Sequence, residues 1–216
     1  MTITRVQGNA RGTSGTTSCS VTLGQTPTQG NILIACITCE AWKSGGGQTG
    51  SVGSITQTGV TWGSSPVVKS GSYCGSSTYY DAEIWIGIVG SGASTSISIT
   101  ESGGGTAPGI VADVCEYSGV ATSSYLDQTQ TAASSGSSST PTTGTTSTTT
   151  QAIELWIGCI ITSGQAETSA TNSFTLLDGA EYSGTLQATC YLEYIASAEG
   201  QASSSLGTAC RYWTGC

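Results

Sequence analysis

The chain contains no histidine. That absence removes the side chain whose ordinary pKa lies closest to neutral, and with it the usual general base of a Ser-His-Asp triad. Charge is scarce as well, at 8% of residues, about a third of the usual share. The five cations, Arg5, Arg11, Lys43, Lys69 and Arg211, are too few and too scattered to build a groove that displaces counterions from nucleic-acid phosphates. An anionic membrane surface is disfavoured for the same reason. No apolar run approaches the ~20 residues that span a bilayer, and no segment carries a sustained 3.6-residue hydrophobic period with caps. None of the three asparagines begins an Asn-x-Ser/Thr acceptor, so Asn-linked glycans are not expected. With so little His, Lys, Asn or Met, the chain has few groups to titrate or degrade, which suits hot or acidic surroundings.

What is present is strand and turn material. Ser, Thr and Gly make up nearly half of the 216 residues, a length that suits one large all-β domain. The apolar residues cluster in short runs, and low charge argues against disorder, which usually couples low hydrophobicity with high charge. The clearest strand candidates are residues 20–23, 31–39, 82–89, 94–100, 110–117, 152–161 and 188–196. Weaker ones are 2–7, 55–62, 67–70 and 173–177. Roughly ten strands with almost no helix is the pattern of a two-sheet antiparallel β-sandwich or jelly roll. Residues 132–150 are a charge-free Ser/Thr/Gly stretch with one proline. Too few strands follow it to close a separate sheet, so it reads as a long internal connection or polar edge strand within a single domain spanning 1–216. Its dense Ser/Thr suits O-glycosylation.

Nine cysteines stand out in such a chain: Cys19, Cys36, Cys39, Cys74, Cys115, Cys159, Cys190, Cys210 and Cys216. Their number points to an oxidising exterior and a disulfide-stapled fold, each bridge worth about 2–4 kcal/mol. Nine being odd, at least one thiol stays unbridged or pairs with another subunit. The alternative is that several are buried thiols packing as small hydrophobes. Cys36-Ile37-Thr38-Cys39 is the only C-x-x-C, with no second pair and no His to complete a zinc site. It lies on a strand, where residues three apart face opposite ways. No metal or cofactor is expected; the Asp81, Glu83 and Asp113 carboxylates lack the spaced loop of a calcium site.

One internal echo is notable. Ala82-Glu83-Ile84-Trp85-Ile86-Gly87-Ile88 matches Ile153-Glu154-Leu155-Trp156-Ile157-Gly158-Cys159 at Glu, Trp, Ile and Gly. Alternation puts Ile84, Ile86 and Ile88 on one face, toward the core, and Glu83, Trp85 and Gly87 on the other. The same holds for Leu155, Ile157 and Cys159 against Glu154, Trp156 and Gly158, and the two strands are expected side by side in one sheet. Trp85 and Trp156 are either covered by loops or presented to a partner or glycan. An enzymatic reading takes Glu83 and Glu154 as the carboxyl pair of a jelly-roll glycoside hydrolase, about 5–5.5 Å apart for retention.

The runs Gly30–Ala35, Ala82–Gly87, Cys115–Val120 and Leu126–Thr129 occur in that order. Together they resemble a β-sandwich module that recurs in secreted, cell-surface and virion-associated proteins of microbes, often in tandem. The resemblance implies a fold and a surface setting, extracellular or on a virion, and no activity. A lone copy suggests that a polymer of subunits replaces the tandem array. In that picture Thr2, Ile3, Thr4, Arg5 and Val6 form a donor strand on a tether reaching to residue 18, completing the neighbour's sheet; the alternative is that they pair within their own fold. Met1 leads straight into this strand, so either a leader has been removed or the protein leaves its cell by lysis. The leading expectation is therefore a non-enzymatic, self-assembling subunit of an extracellular filament, pilus-like fibre or virion surface. A carbohydrate-binding module or adhesin is second and the glycosidase third.

Overall fold

The computed structural model describes residues 2–42, 46–74, 77–103, 105–106, 108–134, 140–163, 169–181, 187–196, 200–201 and 213–215. Among these residues the chain is all β, with fourteen strands and no helix. They are β1 (Thr4–Ser14), β2 (Ser18–Thr22), β3 (Ile32–Trp42), β4 (Ser51–Thr56), β5 (Val60–Trp62), β6 (Val68–Cys74) and β7 (Thr78–Val89). After these come β8 (Ser96–Ser102), β9 (Gly109–Ser118), β10 (Ala132–Ser134), β11 (Glu154–Ser163), β12 (Thr175–Glu181), β13 (Gln187–Ala196) and β14 (Trp213–Gly215). Every run expected to be a strand lies on one. The 55–62 run is split into β4 and β5 by Gly59, whose φ of +70 is a left-handed conformation that glycine adopts without steric cost. A Cβ there would also meet the backbone nitrogen of Ala93 at 2.5 Å.

The winding follows from the pairing. β1 pairs with β9, β2 with β8 and β3 with β7, all antiparallel, through Thr4↔Ser118, Ser18↔Thr100 and Ile32↔Ile88. The first half of the chain is thus one long antiparallel ribbon folded back near Gly59. Coiling that ribbon lays β1-β9-β3-β7 in one sheet and β2-β8-β4 in another. This is the jelly-roll arrangement of a two-sheet sandwich. β5 and β6 extend the first sheet by pairing with different parts of β7.

A third sheet, β10-β14-β11-β13-β12, lies on the outer face of the first. The first sheet is therefore central, and its strands are buried on both sides. β3 is buried from Ile32 to Ala41 and β9 from Gly109 to Tyr117. On the inner face Leu33, Ala35, Ile37, Trp85 and Val114 pack against Val21, Ile55, Ile97 and Ile99. On the outer face Ile32, Ile34, Ile84, Ile86 and Tyr117 pack with Cys159 and Ile161 of β11. That double burial explains why these strands are continuous apolar runs while β2 and β8 alternate strictly. The 132–150 stretch contributes the short edge strand β10. No helix among the described residues is long and apolar enough to cross a membrane.

Three expectations are corrected. The first concerns the N-terminus. Thr4 and Arg5 pair with Ser118 and Tyr117 of the same chain, and Gly8–Ser14, expected as tether, continue the strand. Pairing within the fold wins because β9, buried on both faces, needs a ladder partner, and Ile3 is already packed in the outer core.

The second concerns the echo. β7 and β11 lie in different sheets and meet face to face, with Ile84, Ile86 and Ile88 in the same apolar cluster as Leu155, Ile157 and Cys159. The inward faces were read correctly from alternation; the neighbour relation was not.

The third concerns the staples. Cys19, Cys36, Cys39, Cys115 and Cys159 are buried thiols with no disulfide among them. Cys36 and Cys39 do face opposite ways, Cys36 into the outer core and Cys39 into the inner one. Both cores are dense enough to take thiols as small apolar groups. Cys74 and Cys190 are described only in their backbone, and Cys210 and Cys216 lie outside the described residues. Burial pushes the Cys19 thiol up to about 11 and Cys115 to about 12, and holds Cys39 well above its ordinary value. Because the thiolate is the reactive form, iodoacetamide applied to the native protein should leave these three unlabelled. Labelling them should require denaturant, and mass mapping of the alkylated peptides reads the difference.

Candidate functional site

A cavity of about 630 Å³ opens between the central sheet and the outer one, a volume within the ~300–1,000 Å³ typical of small-ligand sites. Among the described residues β14 pairs with β11 at Ile160–Thr162. Glu154–Gly158 pair with β13 and line the cavity. Its floor is aliphatic, with Ile32, Ile34, Val68, Ile84 and Ile86 from the central sheet. Its wall includes Trp156, whose ring stacks on Phe174 at 6.4 Å between centroids. At its mouth Tyr125, Leu126 and Ile153 are 37%, 49% and 59% exposed. An apolar floor continued by exposed apolar side chains at the rim is the usual mark of an interaction site.

Two carboxyl groups stand in the lining, and their surroundings separate them. Asp127 accepts hydrogen bonds from the backbone N–H of Thr150 at 2.6 Å, the Thr150 hydroxyl at 2.9 Å and the Gln128 amide at 3.2 Å. The Thr150 N–H foremost holds Asp127 below the usual carboxylate range. Glu154 is held above its ordinary value, mainly by desolvation, and the nearby Asp127 adds to the shift. The Trp156 indole N–H donates to Glu154 at 3.0 Å. The cavity thus offers a fixed anion beside a carboxyl that retains its proton more readily. No Lys or Arg stands among the described residues of the lining.

The residues singled out from sequence do not meet in one place. Trp156 and Glu154 line the cavity. Trp85 is 5% exposed and buried in the inner core, beneath the β2-β8-β4 sheet instead of loops. The two echo motifs nevertheless share a local contact, since the Trp85 indole N–H donates to Glu83 at 2.6 Å just as Trp156 does to Glu154. Glu83 also accepts from the backbone N–H of Val52 at 3.1 Å, so it points into the layer between the central sheet and β4. Glu154 lies on the opposite side of the central sheet, so the two cannot flank one scissile bond. That glycosidase pair is excluded by the layering.

A second polar cluster lies at the Cys39 end of the central sheet, with Asp81 and Glu83 on the inner face beside Cys39 and Glu40 on the outer face with Tyr80. Glu40, Asp81, Glu83 and Glu101 are all buried. Lys69 reaches in from β6 to within 3.1 Å of Asp81 and 2.8 Å of Glu83. Desolvation raises Glu40 to about 7 and Asp81 to about 9, and desolvation with the nearby Glu40 raises Glu101 to about 8. Neither oxygen of Glu101 has a hydrogen-bond partner. Glu116, by contrast, is satisfied by Thr28 N–H, Asn31 and Gln7, tying β9 to the loop before β3 and to β1. Among the described residues no group of three or more His, Cys, Asp or Glu is arranged to hold a metal ion.

From the sequence, Trp156 was legible as an outward aromatic, and Asp127 sat in the Leu126–Thr129 run. Phe174, Tyr125 and the floor were missed, because the floor residues read as ordinary core and only the packing of the outer sheet over the central one turns them into a cavity lining. Comparison of the chain with protein-family models, curated proteins and solved structures returned no match.

Proposed function

We infer that the protein is a non-enzymatic structural subunit that self-associates, through the mouth of the outer cavity, into an extracellular filament, pilus-like fibre or virion surface structure. The observation that carries this reading is the exposed apolar rim of Tyr125, Leu126 and Ile153 around an apolar cavity, on a chain otherwise dominated by Ser, Thr and Gly. A surface patch meeting a different patch on the next copy gives a heterologous contact, which propagates into a fibre when its rotation does not close. A strand exchanged between copies is not needed for this, since β1 is seated in its own sheet. The test is sedimentation of the wild type beside a Leu126→Asp, Ile153→Asp double variant. The wild type should sediment as concentration-dependent assemblies and the variant as a monomer. Equal sedimentation of the two would overturn the role given to this face.

A second reading, a glycan-binding module, is favoured by the Trp156–Phe174 stack beside Asp127, since an aromatic wall with a polar rim is how sugar rings are held. Glycan-array binding lost in Trp156→Ala would select it; a blank array would remove it.

A further inference from the structure

We propose that Lys69 and Asp81 condense to an intramolecular amide, a covalent crosslink between β6 and β7 that Glu83 assists. The geometry comes from the register. Lys69 lies directly opposite Glu83, and Gly71 directly opposite Asp81. Gly71 has no side chain to stand between, and a Cβ there would sit 2.9 Å from Asp81 Oδ1 and collide with the Tyr79 hydroxyl. The Lys69 stem therefore crosses the diagonal freely and brings Nζ to 3.1 Å from Asp81 Oδ2. Asp81 is fully buried, and neither of its oxygens accepts a hydrogen bond of good geometry. Such a carboxyl is costly to keep ionised and is held only by the ammonium beside it. Converting this carboxyl and the Lys69 amine into a neutral amide removes that cost.

Glu83 is fixed for the proton transfer. It is held by the Trp85 indole N–H at 2.6 Å and the Val52 N–H at 3.1 Å, and its Oε1 lies 2.8 Å from Lys69 Nζ. Glu83 takes one proton from the Lys69 ammonium, leaving an amine whose lone pair attacks the Asp81 carboxyl carbon. Asp81, which burial favours in its acid form, gives up its hydroxyl. That hydroxyl leaves as water with the second proton lost from nitrogen, and the C–O bond breaks as C–N forms. The products are the amide, one water and protonated Glu83, so atoms and charge balance with no oxidant or reductant. The Lys69 side chain is 41% exposed, which leaves the water a way out. Among the described residues β6 pairs only with β7, so the crosslink would fasten an edge strand.

Intact-mass measurement of the purified protein tests this. The expected mass is that of the chain less one water, and peptide mapping should join the segment holding Lys69 to the one holding Asp81. Asp81→Asn should form the same bond with loss of ammonia in place of water. Lys69→Arg and Glu83→Gln should each keep the full mass of their own sequences, with circular dichroism confirming that they fold. A wild-type mass that stays at the full value, before and after incubation in mild acid, overturns the proposal. So does a water loss that persists in Lys69→Arg. Because the wild-type mass is read directly, the result does not depend on any variant folding, and it is independent of whether the protein assembles.

Discussion

The protein should be most stable in acid and should lose stability as the pH rises toward neutrality and beyond. Glu40 and Glu101 are each raised above the ordinary value of 4.5, to about 7 and 8. A carboxyl raised in the folded state binds its proton more tightly there than in the unfolded chain. Its contribution is fully present below the unfolded value and disappears as pH rises through the folded one. The groups that face this cluster do not reverse the sign. Lys69 favours the ionised form of Asp81, but desolvation outweighs it, and Cys39 lies among the same carboxyls and is itself raised. Glu40 and Glu101 repel each other when both ionise. From these two alone, a loss on the order of 5 kcal/mol between about pH 4 and pH 8 is expected, comparable to the whole stability of many domains.

Thermal unfolding across that range should therefore show a falling Tm. A Tm that is flat or rises toward neutral pH would contradict the assignment. Glu101→Met, which replaces an unpartnered buried carboxyl by an apolar chain of similar length, should flatten the dependence and raise Tm at neutral pH.

The second large effect is at Trp85. Trp85→Ala should destabilise the fold by about 3–5 kcal/mol, the range for removing a large aromatic from a packed core. The indole fills the inner layer among Leu33, Ile37, Ile97 and Ile99 and supplies one of the hydrogen bonds that fix Glu83. Trp156→Ala removes the counterpart in the echo, but that ring stands half-buried beside a cavity and should cost no more than about 1–2 kcal/mol. Chemical denaturation of the two variants checks the contrast. Equal costs would mean that the two motifs do not occupy the different environments described.

That contrast also shows where sequence reasoning stopped. Alternation correctly placed Ile84 and Leu155 on apolar faces, and the turn residues delimited every major strand, because both signals are local. The pattern could not say that the central sheet is covered on both faces, although the uninterrupted apolar run of β3 is its signature. With only two layers in view, Trp85 was expected under loops or against a partner, whereas it lies beneath the β2-β8-β4 sheet and the third sheet covers the opposite face. β14 escaped notice because a three-residue strand carries no periodicity, and β10 was legible only as one alternative for the 132–150 stretch. The cysteines left two readings open for a different reason. A thiol and a half-disulfide look alike in sequence, and only the distances between side chains place Cys19, Cys36, Cys39, Cys115 and Cys159 with the buried-thiol alternative. The cavity was legible only through Trp156 and Glu154, since how one sheet packs over another is not a local property of sequence.

The central claim is that this jelly roll builds an assembly through the face around Leu126 and Ile153. Electron microscopy of the purified wild type tests it most directly, over a range of concentration and from about pH 4 to pH 8, where the carboxyl cluster changes state. The account predicts ordered filaments or extended particles, absent in the Leu126→Asp, Ile153→Asp variant. Dispersed single particles of the wild type under every condition would contradict it.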